Sequence, residues 1–423
     1  MTGAAGVTGA AWLSNRLNIP DLIAFDMGGT TAKACVILQG QPEMSSEYYI
    51  GGHLTGMPVQ VPFLDIVEVG AGGGSVAYAD EGGGLRVGPR SAGSFPGPAC
   101  YSLGGTEPTI TDANVVVGKI HPSHFLGGEM ALNGGAAEAA LGELGLEFEL
   151  DAQECARAVI RVANSIMANA IRSVTVERGR DPRDFTLVAY GGAGPVHAAA
   201  LAADLMIPRV LIPSGSGTFA AFGMLVTDLR HDSARTYVAN LDAITLEDIE
   251  AQFALCTDEA LAFLAEHSAD EPSGSARLIR ALDMRYLGQY HPLTLVLPED
   301  AVSLEQVAEL FHLGHEERYG HSSRSEPIEI NAVRVSAIRE VVKPSGGRDL
   351  EGSTEAPRTW RPVLFDEGAW VDSEVVQRSS TRSGDRINGP AVIEDQATNV
   401  VLGEGDMAEV LDDGHVLITI GLH

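Results

Sequence analysis

Asp26, Gly28, Gly29, Thr30 and Thr31 stand together at residues 22–31, where an apolar run ends in a polar turn. The glycines lack the Cβ atoms that would hold backbone away from an anion, and their N–H groups can point into the turn. Thr30 adds a hydroxyl. An aspartate at the end of a buried strand repels phosphate oxygens, so its natural chemistry is to hold Mg²⁺ through water. The same residues also suit an ordinary Gly-Gly hairpin with Asp26 as the turn former. Residues 33–38 are apolar and β-branched and end in Gln39-Gly40-Gln41-Pro42, so the turn joins two strands. A dinucleotide fold or a P-loop would place a helix after the glycines, and a P-loop would also carry Gly-Lys-Ser/Thr. Neither pattern is present.

Further glycines and carboxylates extend the candidate site. Val69-Gly70-Ala71-Gly72-Gly73-Gly74-Ser75 follows the apolar residues 63–69, and such glycine density implies backbone passing close to a ligand or to another backbone. It is read as a ligand-facing loop with Gly72 and Gly73 at the cofactor. Residues 82–84 read equally as plain surface loop. Asp65, Glu68 and Asp112 are the nearby carboxylates for metal binding or base catalysis, and each also suits a turn or a cap. At residues 186–190 a buried strand is followed by Gly191-Gly192-Ala193-Gly194-Pro195-Val196-His197, with Pro195 in the first turn of a helix. The dinucleotide fingerprint wants a small residue where His197 stands, so that match fails. The open backbone at an electropositive helix start still suits a nucleotide. His197 itself reads as a packed or capping histidine. His312, His315 and His321 resemble a ligand set, yet they lack zinc-enzyme spacing.

The chain that must position these residues has 423 residues, with 45% hydrophobic and 20% charged content and 49 glycines, which fits a compact α/β protein of two or three domains. A net charge of −29 excludes nucleic acid and anionic membrane surfaces as partners. It also requires a nucleotide site to bring its own cation. Cys35, Cys100, Cys155 and Cys256 are scattered, without zinc spacing, as reduced thiols would be. No signal peptide or membrane span is read, which gives a cytoplasmic protein as the simplest expectation. A close-packing helix is expected over 2–16. The clearest helix begins at Asp151, where Asp151 and Glu154 have capping-box spacing, followed by an apolar stripe from Val159 to Val174. A further strand at 209–213 leads to a small-residue loop at 214–218. After about residue 232 the glycines thin out, with helices at 246–266 and 304–318 and strands at 277–286 and 292–297. The tail alternates short strands with acidic turns. The expected division is 1–235, 236–345 and a β-rich lobe at 346–423.

Together, Phe25-Asp26-Met27-Gly28-Gly29-Thr30, residues 69–75, Gly97-Pro98-Ala99-Cys100-Tyr101, Thr109-Ile110-Thr111-Asp112-Ala113-Asn114, Gly191-Gly192-Ala193-Gly194-Pro195, Arg285-Tyr286-Leu287-Gly288-Gln289 and Gly389-Pro390-Ala391-Val392-Ile393-Glu394 resemble the hydantoinase/oxoprolinase family, in family order. The resemblance is to its A-type (β) subunits. It implies an α/β fold of the acetate-kinase, sugar-kinase and actin ATPase class, followed by α+β and β-rich C-terminal lobes. It further implies ATP with Mg²⁺, or another divalent metal, phosphorylating the oxygen of a small cyclic amide or related carbonyl. A B-type (α) partner subunit in a hetero-oligomer would then complete ring opening or carboxylation. By this likeness Asp26, Gly28, Gly29 and Thr30 match the second phosphate loop, with Thr31 beside them as a further cofactor-binding candidate, and Gly191, Gly192, Ala193 and Gly194 match the adenosine loop. Asp26 and Asp112 are the expected metal ligands, and Asp26, Asp65 and Glu68 the expected catalytic carboxylates. The chain departs from the family in two places. A preceding domain with its own aspartate-glycine-glycine-threonine loop is expected to be lacking, and Lys33 stands where the family pattern has aspartate. Two other readings stay open: a non-catalytic truncated subunit or docking module, and a small-molecule kinase of the same fold.

Overall fold

Apart from Asp26, Lys33, Thr186 and Arg209 the central strands are built of apolar and aromatic residues, because helices cover both faces of the sheet they form. In the computed structural model, which describes residues 2–45, 48–50, 57–59, 63–267, 275–298, 303–344, 358–366 and 368–421, the main sheet has nine strands. They are β1 (Leu22–Met27), β2 (Ala32–Leu38), β3 (Gln41–Pro42), β4 (Val67–Val69), β5 (Thr186–Tyr190), β6 (Arg209–Ile212), β7 (Arg386–Asn388), β8 (Met407–Val410) and β9 (Val416–Thr419). Their order is β7-β8-β9-β6-β5-β1-β2-β3, with β4 also on β2. β1, β5 and β6 run parallel, so their C-terminal ends open on one edge, where α/β sheets place ligands.

The alternation along β1 sorts its side chains between two cores. Ile23, Phe25 and Met27 pack with α4 (Ala152–Val174) and α5 (Gly194–Asp204), while Leu22 and Ala24 pack with α1 (Thr2–Leu17) and α6 (Phe219–Leu225). Asp26 therefore faces the α1 side. The Asp151 capping box forms as expected, its side chain accepting from Glu154 N at 2.8 Å. The close packing of α1 rests on its glycines. A Cβ on Gly6 would lie 2.4 Å from Tyr190 Cε2, and one on Gly223 of α6 would lie 1.8 Å from Ala5 O.

Two compact units divide the chain: residues 1–226 with 344–423, and residues 227–343. The first corrects the expected separate lobe at 346–423. Strand β9 joins the main sheet antiparallel to β6, pairing Thr419 with Arg209, so the tail completes the first unit's core. A second sheet of that unit, with the strands Thr359–Leu364, Trp370–Gln377, Ala391–Glu394 and Asn399–Leu402, carries a hairpin whose tip is residues 395–398. The other unit is a four-stranded antiparallel sheet with α7 (Leu246–His267) and α8 (Leu304–Tyr319), around a core that includes Phe253, Phe311 and Ile330.

Candidate functional site

β1 and β2 form the antiparallel hairpin expected from the sequence, with Asp26 opposite Lys33 and Met27 opposite Ala32. The turn closes with Gly28 N–H donating to Thr31 O at 3.2 Å. A Cβ on either Gly28 or Gly29 would meet nothing within 4 Å, so this backbone faces open space. The N–H groups of Gly29 and Thr30 have no acceptor among the described residues. On the other side of Asp26, Tyr190 pairs with it across β5, and the chain turns at Gly191. Gly191 is required there: its φ is +84°, and a Cβ would lie 2.4 Å from Met27 O and 2.7 Å from Asp26 Oδ1.

These segments enclose a cleft of about 340 Å³, lined by the turn residues Asp26 to Thr31 other than Met27, by Lys33, and by Tyr190, Gly191, Gly192, Ser216, Gly217 and Ala220. The Asp26 carboxylate makes no hydrogen bond with any described residue. Burial raises its pKa, the Lys33 charge pulls it back, and Glu68 raises it further. An unbonded carboxylate beside open amide donors is a donor set that fits a hard divalent cation carrying an anion. The Ser216 hydroxyl is also buried without a partner among the described residues. Burial holds the Tyr190 phenol well above its usual pKa, with Asp26 and Cys35 adding to the effect, so it stays neutral.

Not every expected site residue reaches the cleft. Gly72 and Gly73 lie behind the turn as its buttress: Gly73 N–H donates to Gly28 O at 2.9 Å, and Gly74 N–H to Gly29 O at 2.7 Å. Gly73 O in turn accepts from Thr111 N at 2.8 Å and from Thr111 Oγ1 at 2.9 Å. Asp112 is fully buried, and its oxygens accept from Ala99 N, Cys100 N, Thr109 N and Thr109 Oγ1 at 2.7–3.2 Å. That arrangement makes it a cap that ties two loops together and leaves no acceptor facing the cleft. Asp65 is paired with Arg178, away from the turn. Glu68 stands beside the cleft on β4, opposite Lys33, and pairs with its ammonium at 3.3 Å. Ala193 and Gly194 serve the hairpin from below, Ala193 N–H donating to Met27 O at 3.0 Å.

Sequence reasoning missed Ser216, Gly217, Tyr190 and Ala220. The small-residue loop after β6 was the available signal, and its place at the end of a parallel strand makes it a cleft wall. Gly191 N–H donates to Ser216 O at 2.9 Å, and Ser214 N–H to His415 Nδ1 at 2.9 Å. The buried Arg378 binds Pro213 O at 3.1 Å, Gly414 O at 3.0 Å and Asp395 Oδ2 at 3.3 Å. The hairpin tip closes this wall, since a Cβ on Gly217 would lie 2.4 Å from Ala397 Cβ.

The histidines are structural. His197 Nδ1 donates to Asn164 Oδ1 at 2.8 Å and its Nε2 accepts from Asn114 Nδ2 at 3.2 Å; burial lowers its pKa to about 3, with Lys119 adding to the shift. In the second unit His312 Nδ1 meets the Tyr286 hydroxyl at 2.7 Å and His315 Nδ1 meets His321 O at 2.7 Å. No group of three potential metal ligands occurs among the described residues. All four cysteines are buried and free. No helix among the described residues is long and apolar enough to cross a membrane.

Comparison with known proteins follows the same residues. The hydantoinase/oxoprolinase pattern matches residues 3–233, and that of the hydantoinase/oxoprolinase C-terminal domain matches 257–420. An uncharacterised protein of Methanocaldococcus jannaschii is 39% identical, over 94% of this chain and 58% of that protein. The caprolactamase subunit alpha of Pseudomonas jessenii is 33% identical, over 92% of this chain and 56% of that subunit. The crystal structure of the ATP-dependent caprolactamase from Pseudomonas jessenii superposes with a TM-score of 0.80 at 31% identity, covering 99% of this chain and 61% of the other. The chain thus spans somewhat over half the length of each of these relatives.

Proposed function

The chain belongs to the hydantoinase/oxoprolinase family, and we propose that it is the ATP-binding part of an ATP-dependent cyclic-amide hydrolase that works with a B-type subunit. The observation that carries this reading is the Asp26 carboxylate, without a hydrogen bond to any described residue, beside a glycine turn that is open at Gly28 and Gly29 and whose Gly29 and Thr30 amides have no acceptor among the described residues. The ATP-dependent caprolactamase of similar fold supports the nucleotide and the amide. A relative that is itself one subunit of its enzyme supports a hetero-oligomer.

A magnesium nucleotide, when bound, supplies a transferable phosphoryl group for the amide oxygen, whose resonance otherwise makes hydrolysis slow. Asp26 would hold the metal, through water or directly. The amides of Gly29 and Thr30 and the hydroxyls of Thr30 and Thr31 would fix phosphate oxygens in the turn. Gly191 and Gly192 would leave room for the nucleoside, and the unpartnered Ser216 hydroxyl would gain a partner there. Asp65 and Asp112 would act through structure, the first by anchoring Arg178 and the second by fixing the loop that holds Gly73. Gly72, Gly73, Ala193 and Gly194 would set the turn from behind, so the site depends on a rigid scaffold, as positioning catalysis requires.

The test is ADP release by the chain with its co-expressed partner subunit, Mg²⁺ and ATP, across caprolactam, 5-oxoproline and hydantoins. The expected result is release stimulated by one cyclic amide, with the ring-opened acid as the product. Release of a phosphorylated product with the ring intact would instead make the protein a small-molecule kinase.

A further inference from the structure

Lys33 is the cationic side chain among the described residues that line the cleft, in a protein whose net charge is −29. Its position is built rather than incidental. Directly opposite Asp26 in the antiparallel register of β1 and β2, it shares that residue's face of the sheet. Its stem runs against α1 where that helix has Gly3, and a Cβ on Gly3 would come within 2.8 Å of Lys33 Cδ. The head is held loosely by comparison. The ammonium donates to Thr31 Oγ1 at 2.6 Å and pairs with Glu68 Oε1 at 3.3 Å, and the Glu68 side chain is 53% exposed. Water screens a pair with so exposed a carboxylate, so it is easily exchanged for a better one. A phosphate oxygen in the adjoining turn would be that better partner, because it carries more charge and sits where the lysine is already aimed.

We infer that Lys33 is a phosphate-binding residue of this cleft: its ammonium leaves Glu68 for an oxygen of the bound nucleotide's phosphate chain, and Glu68 holds it until then. This rests on the nucleotide-binding reading above and deepens it. The cleft then neutralises phosphate with two cations, a metal beside Asp26 and an ammonium supplied by the protein. Glu68 is a positioning residue in this scheme, and no base chemistry is needed from it.

The test is calorimetric titration of the full chain with ATP in the presence of Mg²⁺, on the parent, Lys33→Met, Lys33→Arg, Glu68→Gln and Asp26→Asn. Methionine keeps the stem that packs against Gly3 and removes only the charge, and thermal melts establish that each variant is folded. Loss of one charged hydrogen bond predicts an affinity lower by about tenfold or more in Lys33→Met. Lys33→Arg should recover most of it. Glu68→Gln should bind more tightly than the parent, because the competing carboxylate charge is gone. Parent-like affinity in folded Lys33→Met overturns the assignment, and unchanged or weaker affinity in Glu68→Gln overturns the part given to Glu68. If either happens while Asp26→Asn still abolishes magnesium-dependent binding, the nucleotide reading survives without Lys33. If the parent takes up no nucleotide, both fall.

Discussion

A methyl group at Gly72 would test whether the buried glycine segment serves the turn at residues 26–31 as a buttress. Built on the present backbone, a Cβ at residue 72 lies 2.4 Å from Thr30 N, 2.5 Å from Thr30 C and 2.6 Å from Gly29 C. These are backbone atoms with no rotamer to yield. Ordinary contact starts at 3.4 Å, so the two segments must separate by about 1 Å. A displacement of that size breaks the bonds from Gly73 N–H to Gly28 O and from Gly74 N–H to Gly29 O, now 2.9 and 2.7 Å long. With each buried bond worth about 1–2 kcal/mol when left unmade, Gly72→Ala should lose about 2–4 kcal/mol. At about 2–4 °C per kcal/mol for a unit of this size, the melting temperature should fall by several degrees. The same shift misplaces the turn donors, and a 1 Å error of this kind costs about 100-fold in a positioned reaction. Gly29→Ala is the matched control: its φ lies outside the left-handed region and a Cβ there meets nothing within 4 Å. That variant should keep its melting temperature and lose nucleotide affinity, because the methyl would occupy the space proposed for the phosphate. Thermal melts and nucleotide titration of both variants decide the matter. A Gly72→Ala protein with the parent's melting temperature and affinity would refute the buttress reasoning.

Asp26→Asn should raise the melting temperature of the ligand-free protein at neutral pH while abolishing magnesium-dependent nucleotide binding. Burial raises the folded pKa, so the folded state holds the proton more tightly than the unfolded one, and stability falls as pH rises from the usual 3.8 through the folded value. His197 and His415, lowered to about 3 and about 4 chiefly by burial, act in the opposite sense. Unfolding lets both take up protons below their usual value of about 6.5, so urea stability should drop by about 2.7 kcal/mol per pH unit between about pH 6 and 4. His197→Gln should halve that slope. Arg378→Met should cost about 3–5 kcal/mol in urea unfolding, since it strands the Pro213 and Gly414 carbonyls and Asp395 without their buried cation.

What was legible in the sequence was local. The hairpin around Asp26 is contiguous, and the Asp151 cap lies three residues from its partner, so strand, turn and helix each follow from neighbours in the chain. Glycine density at 70–74 reads as a ligand-facing loop, but a sequence does not distinguish a ligand from another backbone, and here the close neighbour is the turn itself. The donors that occupy Asp112 include Ala99 and Cys100, 13 and 12 residues earlier, a loop closure that no spacing reveals. The tail read as a separate lobe because strand alternation carries no information on which sheet a strand will join; β9 finds β6 some two hundred residues away. Ser216 gave only the signal of a small-residue loop, and its place in the cleft wall follows from the parallel order of β1, β5 and β6. The histidines of α8 lacked zinc spacing, and they pack against Tyr286 and Gln289 instead.

The most direct test of the site is calorimetric titration of the chain with ATP, with and without Mg²⁺, on the parent and Asp26→Asn proteins. Saturable binding that requires Mg²⁺ in the parent and is lost in a folded Asp26→Asn protein is the predicted result. No uptake by the folded parent, or equal magnesium-dependent uptake by both proteins, would contradict the assignment of the cleft.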